Sequence, residues 1–194
     1  VFTVFSLLVS CKRSKENNQP ASAVSVDSIA INIDNYLKSM ESLGFSGAIV
    51  AEFEGATILS NGYGFADREQ KVPFTARTVQ SNGSNTKQFT GAAILLLESE
   101  GKLSLQDSLQ SHFDGVPRDK RSITLHQLLT HSSGLILGVG ADDDIPMGFD
   151  NFFSKLMATP LQFEPGSDYS YSNAGYSILG RIVELVSGMT YETF

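Results

Sequence analysis

Apolar residues recur at helical spacing in two long segments of the chain. The first segment, residues 27–43, carries its apolar residues at Ile29, Ile33, Tyr36, Leu37, Met40 and Leu43. The second runs from Asn173 to Gly188, and its apolar face is formed by Ile178, Leu179, Ile182, Val183 and Val186. Both patterns predict amphipathic helices that pack by one face. Asn173 is predicted to cap the second helix, and Gly188 to end it.

Shorter patterns predict the other elements. Residues 45–53 and 57–63 are β-rich and are joined at Glu54-Gly55, which predicts a β-hairpin. Residues 88–98 are apolar nearly all round, as is typical of a buried helix. Short helices are predicted over three further stretches: 107–113, 124–129 and 149–157. Thr124 is predicted to cap the second of these.

The first candidate chemistry lies where a loop rich in Ser, Asn and Gly meets the apolar helix, at Ser84-x-x-Lys87. Residues three apart share one face of a helix, so the Lys87 amine can reach the Ser84 hydroxyl as a base reaches a nucleophile. The helix N-terminus also favours the negative charge that acyl transfer develops. The plain alternative is a capping serine and a solvated lysine. A second match, Ser99 with Lys102 at the other end of the helix, shows that the pattern also arises by chance.

A second motif, Tyr171-Ser172-Asn173, precedes the last helix. A phenol can relay a proton, and an amide can hold a carbonyl or orient a lysine. Taken singly, these residues are also compatible with a half-buried tyrosine and a capping asparagine. Together with Ser84-x-x-Lys87, the segments SNTKQFT, LLTHSSGL and FEPGSDYSYSNAGYSILGRIVE resemble the serine β-lactamase and penicillin-binding-protein superfamily. They are most similar to its branch of class C β-lactamases, D,D-peptidases and related esterases.

The resemblance implies an α+β fold of the β-lactamase/transpeptidase type, with a helical subdomain beside an antiparallel sheet. It also implies that Ser84 is the acylated nucleophile, Lys87 its base, Tyr171 a proton shuttle and Asn173 a substrate-binding amide. The Ser84 backbone N–H would be one oxyanion-hole donor. The third motif of the family, Lys/His-x-Gly on a late strand, has no match in this sequence. The C-terminal strands are therefore expected beyond Phe194, and residues 25–194 alone are expected to be an incomplete, inactive domain.

The implied function is that of a serine hydrolase acting on a small-molecule or peptide substrate: a β-lactam, a D-amino-acid peptide or a small ester. The alternative is a non-catalytic protein that binds cell-wall peptides on the same scaffold. His131, in LLTHSSGL, resembles a structural position of the family. A Ser–His triad through His131 is disfavoured because no Gly-x-Ser-x-Gly elbow accompanies it.

Charge and composition limit the kinds of partner and cofactor that the protein is expected to bind. The 194-residue chain carries a net charge of −7, which argues against nucleic acid as a partner. The remaining histidines, His112 and His126, do not cluster with other ligands, so neither a metal nor another cofactor is expected.

The first residues of the chain predict that the protein is exported across a membrane. The apolar run VFTVFSLLV is too short to span a bilayer but suits a secretory signal. Leu8-Val9-Ser10-Cys11 resembles a bacterial lipobox, so residues 1–11 are predicted to be a signal segment with Cys11 as the lipidation site. Cleavage after Ala23 is the alternative. Residues 12–24 are predicted to be a flexible tether to a membrane of the cell envelope, at the periplasm or outer membrane.

Overall fold

The computed structural model describes residues 25–140 and 147–194. The predicted signal segment, with Cys11, and the predicted tether lie outside these residues. The described chain divides into two units, residues 25–81 and residues 82–194. Within the described ranges, none of the helices combines the length and the apolar composition that crossing a membrane requires.

The first unit begins with helix α1, Val26–Glu41. Ser25 caps it, because its side-chain oxygen accepts a hydrogen bond from the backbone N–H of Ser28. Strands β1, Gly47–Phe53, and β2, Ala56–Tyr63, follow and pair antiparallel. The predicted amphipathic helix and hairpin are therefore confirmed, with the helix two residues shorter at its C-terminal end.

The turn of this hairpin follows directly from two residues. Glu54 and Gly55 have φ angles of 50° and 82°, and a two-residue loop with both angles positive matches the twist of the flanking strands. A side-chain cluster then holds α1 to β2: the Asp34 carboxylate accepts from the Tyr63 hydroxyl at 2.8 Å and from the Asn61 amide at 3.2 Å. Burial and the bond to Asp34 raise the pKa of Tyr63 to about 12.

Two short strands complete the first unit. Strands β3, Phe65–Asp67, and β4, Val72–Pro73, pair antiparallel in a second small sheet. Neither strand is predicted from the sequence, because a strand of two or three residues leaves no periodic pattern to detect. Helix and antiparallel strands in this unit, followed by helices in the next, confirm the predicted α+β class.

The second unit contains four α-helices among its described residues. They are α2, Thr86–Ser99; α3, Leu125–Leu129; α4, Phe149–Ala158; and α5, Asn173–Ser187. Thr124 caps α3 through a reciprocal pair of bonds with Gln127, as predicted for the cap. The predicted helix over 107–113 is only a 3₁₀ turn, Leu109–Ser111.

One hydrophobic core lies between these helices, and α2 packs against α5. Its fully buried members include Ile94, Leu97, Leu109, Leu125, Leu128, Leu156, Ile178, Leu179 and Ile182. The expectation that α2 is buried all round is wrong. Phe89, Leu95 and Leu96 are 65%, 52% and 49% exposed, because only one face of the helix meets the core.

Candidate active site

Ser84 and Lys87 lie at the start of α2, on a rigid element of the helical unit. Ser84 is in the 3₁₀ turn Gly83–Asn85, and Lys87 is in the first turn of the α-helix that follows. The Lys87 ammonium donates a hydrogen bond to Ser84 Oγ at 3.3 Å. Ser84 is exposed and Lys87 is half-buried. The spacing thus brings the two side chains together as the sequence predicted.

Tyr171 and Asn173 lie on either side of Ser172, at the N-terminus of α5. The cap of this helix is Ser172 and not the predicted Asn173: Ser172 has extended backbone, and its Oγ accepts from the N–H of Gly175 at 3.0 Å. Both residue types cap helices well, so the sequence alone did not distinguish them. Because Ser172 caps, the Asn173 amide is available to the site, and its Oδ1 accepts from Lys87 Nζ at 2.7 Å.

Tyr171 completes the group. Its hydroxyl lies 2.6 Å from Ser84 Oγ, and Lys87 Nζ lies 4.8 Å from the centroid of its ring. The structure therefore places the predicted Ser84, Lys87, Tyr171 and Asn173 in one connected cluster. Burial raises the pKa of the Tyr171 phenol, but hydrogen bonding to Lys87 and Ser84 and the charge of Lys87 outweigh it, so the pKa lies below its ordinary value.

The segment 131–137 holds the Tyr171–Asn173 strip in place through backbone groups. The carbonyl of Leu137 accepts from the N–H of Asn173 at 2.9 Å, and the carbonyl of Ile136 accepts from Ser172 Oγ at 2.7 Å. On the other side, the Ser172 N–H donates to His131 Nδ1 at 3.1 Å. These bonds connect residues more than thirty positions apart, so no local pattern could have revealed them.

Tyr176 is a neighbour of the site that the sequence did not single out. Lys87 Nζ lies 5.3 Å from the centroid of its ring, so the ammonium faces two aromatic rings. The Tyr176 hydroxyl donates to the carbonyl of Leu129 at 3.0 Å. Burial, together with the neighbouring Tyr171, raises the pKa of Tyr176, which keeps this phenol neutral. The one sequence feature that could have indicated a place for Tyr176 in the site is its position five residues after Tyr171, near the start of α5.

The competing arrangements do not assemble. Ser99 Oγ donates to the carbonyl of Leu96, and Lys102 pairs with Glu100 at 2.8 Å, so the second Ser-x-x-Lys match is a helix end. The described hydrogen bonds of Ser84 Oγ go to Tyr171 and Lys87 and not to His131. In the part of the chain that the structure describes, no group of three or more His, Cys, Asp and Glu is placed to hold a metal ion.

The cluster has the parts that nucleophilic catalysis needs. The exposed hydroxyl of Ser84 is hydrogen-bonded to the Tyr171 phenol, whose pKa is lowered, and the Lys87 ammonium lies close to both. The Asn173 amide fixes that cation. A hydroxyl with a proton acceptor at 2.6 Å can attack an electrophilic carbon.

Known proteins are similar to this chain in sequence and in fold. A family model described as Beta-lactamase matches residues 33–194. Protein flp of Staphylococcus aureus (strain NCTC 8325 / PS 47) is 33% identical over 150 residues, which are 72% of this chain and 30% of that protein. The crystal structure of penicillin binding protein from Bacillus halodurans matches at 33% identity with a TM-score of 0.67, covering 82% of this chain and 51% of that one.

A class C beta-lactamase structure matches with a TM-score of 0.72 at 23% identity, covering 88% of this chain and 47% of that one. This likeness confirms the predicted β-lactamase/transpeptidase-like fold. The chain spans about a third of the length of the curated relative and about half of each of these two solved chains.

Proposed function

Because the chain belongs to the Beta-lactamase family, we propose that the protein is a serine hydrolase that acts through an acyl-enzyme at Ser84. The observation that supports this most directly is the position of Ser84 Oγ, 2.6 Å from the Tyr171 hydroxyl and 3.3 Å from Lys87 Nζ. The substrate is an amide or an ester, because acyl transfer to a hydroxyl requires a carbonyl with a leaving group.

In the first step, Ser84 Oγ attacks the carbonyl carbon while its proton passes to the ionised oxygen of Tyr171. The contact to Tyr171 is shorter than the contact to Lys87, which favours the phenol as the direct proton acceptor. Lys87, predicted from the sequence to be the base, would then act by keeping the pKa of that phenol low. Asn173 would hold Lys87 in place through its 2.7 Å bond and orient the substrate.

In the second step, the tetrahedral intermediate collapses and the leaving nitrogen or oxygen takes the proton from the Tyr171 hydroxyl. The products are an acyl ester on Ser84 and an amine or alcohol, which in the case of a β-lactam stays attached to the acyl group. Hydrolysis runs the same sequence with water: Tyr171 accepts the proton of the water, and Ser84 regains a proton when its ester bond breaks. The Ser84 backbone N–H would stabilise the oxyanion in both halves of the reaction.

The candidate substrates are β-lactams, D-amino-acid peptides and small esters. All three present a carbonyl that an activated serine can attack, and they differ in the groups that surround it. The 33% identity to a penicillin binding protein supports testing β-lactams first. Since this chain spans about half of that relative, the full-length protein is the material for every activity measurement.

The test is covalent labelling of the full-length protein with a fluorescent penicillin and with an activated fluorescent ester. We expect one adduct on Ser84, identified by mass spectrometry of the digested protein, and no adduct in the Ser84→Ala variant. Ser99→Ala is the matched control, because Ser99 belongs to the second Ser-x-x-Lys match and lies at the opposite end of α2. Equal labelling of Ser84→Ala and the unchanged protein would refute the proposal.

The same experiment separates the enzyme from the alternative, a non-catalytic protein that binds cell-wall peptides. Such a binder would hold a peptide reversibly and give no adduct, and Ser84→Ala would leave its affinity unchanged. No contact in the described residues favours this alternative over acylation.

We also propose that the protein is exported and anchored in the bacterial cell envelope by a lipid on Cys11. The sequence Leu8-Val9-Ser10-Cys11 and the polar residues 12–24 support this. Metabolic labelling with an alkyne fatty acid should mark the full-length protein and not its Cys11→Ser variant. Labelling that persists in the variant, or that is absent from both, would contradict the lipid anchor.

A further inference from the structure

His131 adopts a left-handed backbone conformation, with a φ angle of 58°. Residues other than glycine are uncommon in this region, although histidine is found there more often than most, as are asparagine and aspartate. The His131 imidazole packs against the ring of Tyr171 with centroids 4.5 Å apart and against the ring of Tyr176 with centroids 5.2 Å apart. Local strain of this kind persists only where the surroundings fix it, and it clusters at functional sites.

The imidazole makes one specific hydrogen bond to the site. Its Nδ1 accepts from the backbone N–H of Ser172 at 3.1 Å, and the N–H of Ser170 donates to the His131 carbonyl at 3.0 Å. His131 therefore contacts the backbone on both sides of Tyr171. An Nδ1 that accepts a hydrogen bond carries no proton, so the imidazole is neutral with its hydrogen on Nε2.

We propose that His131 is a positioning residue for Tyr171: its unprotonated Nδ1 fixes the Ser172 N–H next to the phenol that faces Ser84. This inference rests on the proposed function, because it assigns His131 a role in the proton transfer of Tyr171. Since the Tyr171 hydroxyl must stay within hydrogen-bond distance of Ser84 Oγ, a small rotation of the 170–172 backbone would misplace it.

The charges around His131 keep the imidazole neutral. Lys87 on α2 is the cation that faces it, and the titratable groups packed against its ring are Tyr169, Tyr171 and Tyr176. Burial and the charge of Lys87 lower the pKa of His131. Protonation at Nδ1 would bring two donors together, N–H against N–H, and would release Ser172.

The contacts also distinguish this role from that of a catalytic base. The described hydrogen bonds of Ser84 Oγ go to Tyr171 and Lys87, and the Nδ1 of His131 is occupied by Ser172. If His131 were a catalytic base, a side chain that cannot accept a proton could not replace it. A positioning acceptor can be replaced by any acceptor of the same reach.

Two substitutions at this position make a matched pair. Asparagine tolerates a positive φ, and its Oδ1 is as many bonds from Cα as the imidazole Nδ1, so His131→Asn keeps the acceptor. His131→Gly also tolerates the conformation but removes the acceptor. We expect His131→Asn to acylate within roughly fivefold of the unchanged protein, and His131→Gly to be about ten- to a hundredfold slower, with the loss in kcat and not in KM. His126→Asn, at an exposed histidine of α3, is the control.

The pH profile tests the protonation state. In the unchanged protein the acylation rate should fall at acid pH as His131 gains a proton, below its ordinary range because its pKa is lowered. His131→Asn should lack this loss, while the limb that belongs to Tyr171 should remain. Equal rates for the Asn and Gly variants, equal inactivation of both, or persistence in His131→Asn of the limb assigned to His131 would each overturn the proposal.

A second measurement does not depend on activity. Nitrogen-15 NMR of the full-length protein should show one histidine with an unprotonated Nδ1 and a protonated Nε2, which the His131→Asn spectrum identifies by its loss. If no substrate acylates Ser84 but this signal is present, the proposed function fails and the contact to Ser172 stands. A proton on Nδ1 of His131 near neutral pH would refute the positioning role even in an active enzyme.

Discussion

The Tyr171→Phe substitution isolates the proposed proton-transfer role, because it removes only the phenolic oxygen. The ring keeps its packing, with its centroid 4.5 Å from that of His131 and 4.8 Å from Lys87 Nζ. The lost contacts are the 2.6 Å hydrogen bond to Ser84 Oγ and the hydrogen bond to Lys87. We therefore expect the free energy of unfolding to change by only about 1–2 kcal/mol.

The size of the rate loss separates two possible roles of the hydroxyl. A hydrogen bond that only orients Ser84 contributes about 0.5–1.5 kcal/mol, which corresponds to roughly tenfold in rate at most. A general acid–base contributes roughly 10²–10⁴-fold. Since the phenol is the closer of the two groups bonded to Ser84 Oγ, we expect acylation to slow by at least about a hundredfold.

The assay is stopped-flow acylation of the full-length protein by whichever fluorescent probe labels Ser84. Single-turnover conditions separate the acylation rate constant from probe affinity, and the affinity should change little. Tyr169→Phe is the matched control, because Tyr169 is exposed and packs edge-to-face with the His131 ring, with the ring centroids 5.9 Å apart. A loss below about tenfold in Tyr171→Phe would refute the assignment of proton transfer to the phenol.

The pH dependence gives a second check with a defined sign. The phenol must be ionised to accept the Ser84 proton, so the acylation rate should rise with pH as Tyr171 loses its own proton. Lys87 and Ser84 lower the pKa of Tyr171 in spite of burial, which moves this rise below the range of an ordinary tyrosine. The rise should be absent from Tyr171→Phe, and a rise that is identical in both proteins would belong to another group.

Two further predictions concern stability. A methyl group at Gly134, where φ is 76°, would lie 2.2 Å from the carbonyl oxygen of Phe163. Gly134→Ala should therefore lower the free energy of unfolding, measured by urea titration, by about 2 kcal/mol or more. Gly138→Ala is the control and should have little effect, because the space around Gly138 is open. Removing the cap of α3 with Thr124→Ala should cost about 1 kcal/mol against a near-neutral Ser122→Ala control, and equal midpoints would show that the capping box contributes nothing.

Local patterns predicted what depends on neighbouring residues. The three-residue spacing placed Lys87 against Ser84, Glu54-Gly55 predicted the hairpin, and Thr124 was correctly predicted as a cap. A 3.6-residue period and a two-residue turn are fixed within a few residues of chain, so the sequence contains the whole signal.

The errors arose where two local solutions are equally good or where packing decides. Ser172 and Asn173 are both suitable caps. Ser172 is favoured by a hydrogen bond from its hydroxyl to the backbone carbonyl of Ile136, which is 36 residues away in the sequence. The apolar composition of α2 did not reveal which face meets the core, so the exposure of Phe89 was not foreseen. The partnership of His131 with Ser172 spans 41 residues and likewise left no local trace.

The cap of α5 connects these observations to the chemistry. If Asn173 had capped the helix, its side-chain oxygen would have been used by a backbone N–H and not by Lys87. With Ser172 as the cap, the two neighbouring side chains both reach the site: Tyr171 reaches Ser84, and Asn173 reaches Lys87. Because His131 and Leu137 fix the same three residues through Ser172 N–H and Asn173 N–H, the site depends on the backbone path of segment 131–137. A substitution that moves this backbone should therefore reduce acylation even when its own side chain touches none of the reacting groups.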